Sequence, residues 1–143
     1  MKTESKYKTV LINLLFVVFL LAVNSNLMAQ EEKAVSLKNF KVILEKTKDG
    51  IKMQSLEGSA WIDLVFNTKN NKPQAIDEYG MTELGKVSAN KNINLADFLF
   101  TITKSENEII LNGIEGTAWT ALSFSIKEKE RQVIDQFGMH KLN

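Results

Sequence analysis

The segment LEGSAWIDLVF at residues 56–66 returns 58 positions later as IEGTAWTALSF at 114–124, and this duplication constrains the fold more than any other feature. The match runs without a gap from Phe40–Met81 to Phe98–Met139. Over that span fifteen residues are identical: Phe40, Lys46, Ile51, Glu57, Gly58, Ala60, Trp61, Leu64, Phe66, Lys69, Gln74, Ile76, Asp77, Gly80 and Met81, each with its partner 58 later. The chain therefore divides into repeat one (40–81), a connector (82–97) and repeat two (98–139).

Each copy reads as β structure. Phe98, Phe100 and Ile102 alternate with Leu99, Thr101 and Thr103, the period of two expected of a pleated strand, and Phe40, Val42 and Leu44 match them. Polar turns follow at Lys48-Asp49-Gly50 and Glu106-Asn107-Glu108, and the Asp-Gly pair is a hairpin signal. Ile51 and Met53, or Ile109 and Leu111, supply a return strand. Leu64 and Phe66, or Leu122 and Phe124, supply a third, and AIDEYGM or VIDQFGM a fourth. The connector Thr82–Asp97 is the one place where a short helical turn would fit. A unit of this size buries too little surface to stand alone without disulfides or metal. The expectation is an all-β fold of about eight strands, an antiparallel sandwich or barrel in which two four-stranded repeats share one core.

The start of the chain has a different character. Lys2, Lys6 and Lys8 precede Val10–Val23, which is apolar apart from Asn13, and NSN then leads to Leu27-Met28-Ala29. Basic, apolar and small-residue regions in that order are the pattern of a secretory signal peptide, with cleavage after Ala29. As a helix the apolar run would cover about 21 Å, short of the roughly 30 Å of a hydrocarbon core, which argues against a retained anchor. The expected layout is a signal peptide at 1–29 and a single β domain at 30–143, in the periplasm or outside the cell.

Of the 18 Lys and Arg, three lie before that cleavage point, and of the 17 Asp and Glu, only Glu4 does, which leaves 15 cations against 16 anions. A nearly neutral chain without a basic block offers no footprint for nucleic acid or for an anionic membrane. Cysteine is absent, so the core must hold the fold without disulfides, and lipid attachment through a cysteine is excluded.

Trp61 and Trp119 sit out of phase with their own strands. If the strand is regular, Trp61, Asp63, Val65 and Asn67 face away from Leu64 and Phe66. An indole on that polar face would be a stacking platform for a sugar, and Asp63, Asn67, Asp77 and Asp135 would be the polar groups beside it. The favoured reading is a core anchor: Gly58 and Gly116 stand three residues upstream, and an extra residue there would reverse the phase and turn the ring inward. In the Ile-Asp-x-aromatic-Gly-Met block, Asp77 and Asp135 are placed to close a turn by accepting backbone N–H groups. Catalysis by Glu57 or Glu115 with Asp77 or Asp135, in the manner of glycosidases, is the least favoured alternative.

His140 is the only histidine, so neither a histidine-rich metal site nor a Ser-His-Asp set is expected. No phosphate-cradling glycine loop and no calcium loop appears, and no cofactor is expected. The strings GTAWTALSF and QVIDQFGM, with their twins GSAWIDLVF and QAIDEYGM, resemble a motif of an uncharacterised group of small, signal-peptide-bearing proteins of Gram-negative bacteria. The resemblance implies export and a compact β fold, and carries no activity, ligand or catalytic residue. The expected function is an exported, non-enzymatic β-domain that binds a protein through a sheet edge or apolar patch. The alternative is a glycan-binding module built on Trp61 and Trp119.

Overall fold

The computed structural model describes residues 36–68, 72–86 and 91–142; the signal peptide expected at 1–29 lies outside them. Ten strands run through the described residues: β1 (Lys41–Lys46), β2 (Gly50–Glu57), β3 (Asp63–Asn67), β4 (Gln74–Asp77), β5 (Gly80–Thr82), β6 (Leu99–Lys104), β7 (Ile109–Glu115), β8 (Ala121–Phe124), β9 (Arg131–Asp135) and β10 (Gly138–His140). The connector carries turns at 84–85 and 93–94, and no helix forms among the described residues.

Ten strands replace the expected eight because the Ile-Asp-x-aromatic-Gly-Met block is a hairpin and not one strand. Asp77 Oδ1 accepts the N–H groups of Tyr79 at 2.8 Å and Gly80 at 2.9 Å, and Gly80 takes a φ of 132°. The carboxylate thus closes a two-residue turn, and the chain doubles back as β5 with Asp77 opposite Gly80. Asp135 does the same for Phe137 at 2.7 Å and Gly138 at 3.1 Å, which starts β10.

The strands form two antiparallel five-stranded sheets, ordered β10-β9-β1-β2-β3 and β5-β4-β6-β7-β8. They pack face to face as a sandwich, and no barrel closes. Neither sheet belongs to one repeat. The meander β1–β3 of repeat one is completed by the β9–β10 hairpin of repeat two, with Lys41 to Glu45 opposite Asp135 to Arg131. The meander β6–β8 of repeat two is completed in turn by β4–β5 of repeat one, with Gln74 to Asp77 opposite Ile102 to Leu99. Each repeat lends its last hairpin to the other's sheet.

Alternation then fills the space between the sheets. Val42 and Leu44 from β1, Ile51 and Met53 from β2, Phe100 and Ile102 from β6, Ile109 and Leu111 from β7, Ile76 from β4 and Ile134 from β9 are fully buried. Each such side chain stabilises the fold by roughly 1.5–3 kcal/mol. Phe40, Phe98 and Phe100 form an aromatic centre, with ring centroids 4.5 Å apart for Phe40–Phe98 and 5.6 Å for Phe98–Phe100. Phe40 and Phe98 are equivalent residues of the two repeats, so the centre of the core lies where the repeats meet.

Candidate functional site

The loops leading into β3 and β8 settle the orientation of the tryptophans. Trp61 precedes β3, so the strand's alternation does not bind it, and its ring turns into the core with 9% of its surface exposed; Trp119 is 8% exposed. Trp61 Nε1 donates to the main-chain oxygen of Asp77 at 3.0 Å, and Trp119 Nε1 to that of Asp135 at 2.9 Å. Both loops are clamped in the same way. Ala60 N donates to Glu78 O and Ala118 N to Gln136 O, at 2.8 and 2.7 Å.

The extra residue that alters the phase lies earlier than the glycine. Lys41 pairs with Glu57 but Val42 with Ser55, which leaves Leu56 as a bulge in β2. Leu99 pairs with Glu115 but Phe100 with Gly113, which bulges Ile114 in β7. Leu56 and Ile114 point to solvent at 54% and 52% exposure. Gly58 follows with a φ of 86°, and a Cβ there would lie 2.5 Å from the Asn39 oxygen and 2.8 Å from Phe40 Cα. At Gly116, φ is 69° and a Cβ would lie 2.0 Å from the Asp97 oxygen. Only glycine fits this loop, for its conformation and for the closeness of the neighbouring backbone.

The remaining residues expected at a site are scattered over the sandwich. Asp63 and Asn67 lie exposed at the two ends of β3. Asp77 is buried in its turn, and Asp135 is half-buried in the equivalent one. Strand exchange pairs the carboxylates across repeats: Glu57 and Asp135 flank Lys41 in the first sheet, and Glu115 and Asp77 flank Leu99 in the second. Two strand spacings separate the backbones of each pair by about 9.5 Å. Asp135 has a partner that Asp77 lacks a counterpart for: His140 Nε2 lies 2.7 Å from Asp135 Oδ2. That contact borders a hollow of about 370 Å³ on the outer face of the first sheet, between Lys41, Leu56 and Leu142. The partner of the lone histidine became visible only with the β9–β10 hairpin.

A second difference between the halves is buried. Gln136 accepts the N–H of Phe40 through Oε1 at 3.2 Å and donates through Nε2 to Asn39 Oδ1 at 2.9 Å. In the other half Glu78 accepts the N–H of Phe98 and faces Asp97, so an acid pair replaces the amide pair. Burial foremost, then the charges of Asp77 and Asp97, push the Glu78 carboxyl above its ordinary value. Lys91 Nζ caps the cluster from solvent, 2.6 Å from Asp97 Oδ2 and 3.0 Å from Glu115 Oε1. Those contacts, led by the one to Asp97, raise the Lys91 pKa. Among the described residues no group of acidic or histidine side chains is arranged to hold a metal ion.

The outer edges of the meanders remain. Ser55 N donates to Ile62 O at 2.8 Å, which makes Ser55–Ile62, Met53–Leu64 and Ile51–Phe66 the bonded pairs of the β2–β3 ladder. The N–H and C=O groups of Asp63, Val65 and Asn67 therefore point away from β2, and no described strand pairs with that edge. Ile62 and Val65 are 73% and 65% exposed along it. A hollow of about 410 Å³ opens beside the edge between the β1–β2 turn (Thr47, Asp49) and Val65, Phe66 and Asn67. The equivalent edge of β8 offers Ala121 and Ser123 in place of Asp63 and Val65.

Comparison with protein-family models, curated proteins and solved structures finds no match to this chain.

Proposed function

We propose that this chain is an exported, non-enzymatic β-sandwich that engages a protein partner by strand addition along the free edge of β3. One observation carries this reading. The edge presents unpaired main-chain groups at Asp63, Val65 and Asn67, with exposed aliphatic side chains at Ile62 and Val65 and the adjoining hollow to receive a partner's side chain. Sheet edges are usually covered, bulged away or blocked by charge and proline, because an open row of N–H and C=O groups templates another strand. Here the middle of the edge is Val65, and the only charge on the strand, Asp63, sits at its start. Main-chain bonds would supply the affinity, and the side chains either side of Val65 the specificity.

The test is photo-cross-linking in the producing cells, with a benzophenone amino acid at Val65 and a control at Glu128, an exposed turn residue remote in the chain from β3. An adduct of discrete mass at position 65, absent at 128, is the expected result. No adduct at 65, or equal adducts at both positions, would overturn the reading. Retention on a glycan array without an adduct would also overturn it, and the sugar would then be held away from the buried rings of Trp61 and Trp119.

A further inference from the structure

The exchange of hairpins between repeats has a consequence for how two copies of this chain meet. We propose that a second copy is itself a partner, and that repeat one of one chain can complete its sandwich with repeat two of another, giving an intertwined dimer. This proposal stands independently of the β3 edge.

Three observations lead to it. First, the acceptor edges are those of β1 and β6, and what each accepts is the other repeat's hairpin. Residues 41–45 receive 135–131 in the first sheet, and residues 102–99 receive 74–77 in the second. Neither meander is complete without the other repeat. Second, the two half-sites are built from the same residues. Phe40, Trp61, Leu64, Phe66 and Ile76 recur as Phe98, Trp119, Leu122, Phe124 and Ile134, and all pack into or against one core. Third, the covalent link between the halves is the single connector at 82–97, and with no cysteine in the chain no disulfide adds a second link.

Within the sandwich, every ladder contact and every core contact between the two repeats can be made equally by repeats from two chains. The two forms then differ in the connector and in the concentration of one half about the other. A tether of this kind supplies an effective concentration on the order of millimolar. The monomer prevails in dilute solution, and exchange competes when the protein folds at comparable concentration. Exchanging an identical element between protomers is a recognised low-cost route to dimers.

The absence of native cysteine makes a direct test possible. Ile43 and Val133 are Cα partners across the β1–β9 ladder, at a spacing of about 5 Å that a disulfide can bridge. Two full-length variants, one Ile43→Cys and the other Val133→Cys, are unfolded together, refolded at about 1 mM and oxidised. In a closed monomer each cysteine faces a native side chain of its own chain, and a mixed disulfide requires that β1 of one chain receive β9 of the other. The expected product is a mixed-disulfide dimer, identified by mass after non-reducing electrophoresis, at least ten-fold more abundant than when the two folded proteins are merely mixed.

Mixed disulfide no more abundant after co-refolding than after simple mixing would overturn the proposal. A dimer seen by sedimentation without this disulfide would also overturn it, because that dimer would join by another surface. The unsubstituted chain, refolded at about 1 mM and at a concentration on the order of 10 μM, controls for any effect of the cysteines on folding: it should yield dimer only at the higher concentration, and monomer alone at both would count against exchange.

Discussion

The indole N–H of Trp61 meets the main-chain oxygen of Asp77 at 3.0 Å, and this bond joins the loop entering β3 in the first sheet to the end of β4 in the second. Trp119 and Asp135 form the mirror contact at 2.9 Å. The strands of each sheet hold one another through ladders, but the sheets hold one another mainly through apolar packing. The two indoles add directional bonds to that packing.

Replacing either tryptophan by phenylalanine keeps an aromatic ring and removes the donor. The buried carbonyl left unpaired costs about 1–3 kcal/mol, and the smaller ring adds a packing loss. Trp61→Phe and Trp119→Phe should each lower the unfolding free energy by that amount, read as a lower urea midpoint with an unchanged denaturant slope. In the unsubstituted protein, tryptophan emission should be blue-shifted and resist acrylamide quenching until the fold is lost. Emission in the folded state as red and as easily quenched as in urea would contradict the burial of both rings.

The glycines of the same loops are fixed by their surroundings. Gly58→Ala must hold a side chain at a φ of 86° and place its Cβ against the backbone of Asn39 and Phe40. Left-handed strain of about 1–2 kcal/mol and a comparable clash give an expected loss of at least about 2 kcal/mol. Gly85, with a φ of 95° and nothing within 4 Å of its Cβ position, bears the strain alone. Gly85→Ala should therefore cost about half as much in a thermal or urea melt. Equal losses at the two sites would mean that backbone conformation, and not close approach, decides.

Much of this was legible in residue order and some was not. The 58-residue offset and the period-two alternation were enough for an all-β fold with a shared core, because both follow from which side chains must be hidden; the choice of sandwich over barrel came only with the two separate sheets. The turns closed by Asp77 and Asp135 were legible, and both carboxylates accept the N–H groups expected of them; the count of strands was not, because the three residues after each turn are too few to read as a strand until they pair back. Nor was the exchange of hairpins. A repeat looks the same whether its last hairpin folds on itself or on its twin, and pairing between distant strands leaves no local trace. Of the residues singled out for binding, Trp61 and Trp119 lie in the loops before β3 and β8, where strand alternation does not govern them, and the bulges at Leu56 and Ile114 sit two residues before Gly58 and Gly116. The contrast of Glu78 with Gln136 was visible as a mismatch between copies, but it carried no meaning until both side chains were found buried.

Glu78 should make the stability of one half depend on pH. Its folded-state pKa is raised above the ordinary 4.5. The folded state therefore holds the proton more tightly than the unfolded chain does. The stabilisation from a neutral Glu78 is fully present below 4.5 and is lost as pH rises through that value to the higher folded pKa. Glu78→Gln installs the side chain that Gln136 provides in the other half and removes the titration. In urea melts across this range the unsubstituted protein should lose stability relative to Glu78→Gln as pH rises, and the difference should level off above the folded pKa. Parallel curves for the two proteins would remove Glu78 as the cause.

Proline substitution tests the edge at the level of single residues. The N–H of Val65 points away from β2, so Val65→Pro removes no bond of the ladder, whereas the N–H of Leu64 lies on the bonded side opposite Met53. Leu64→Pro loses a buried ladder bond and a side chain that packs against the core, and should cost about 3 kcal/mol or more. Val65→Pro should cost no more than about 1 kcal/mol, because it confines only one already extended residue, while it takes away the central donor of the free edge. If strand addition at β3 is how this protein meets its partner, a chain carrying Val65→Pro folds, melts close to the unsubstituted protein and no longer recruits that partner. A cross-link placed at Ile62 in the Val65→Pro background reads this out, and an adduct of undiminished yield would show that the partner does not pair with the edge.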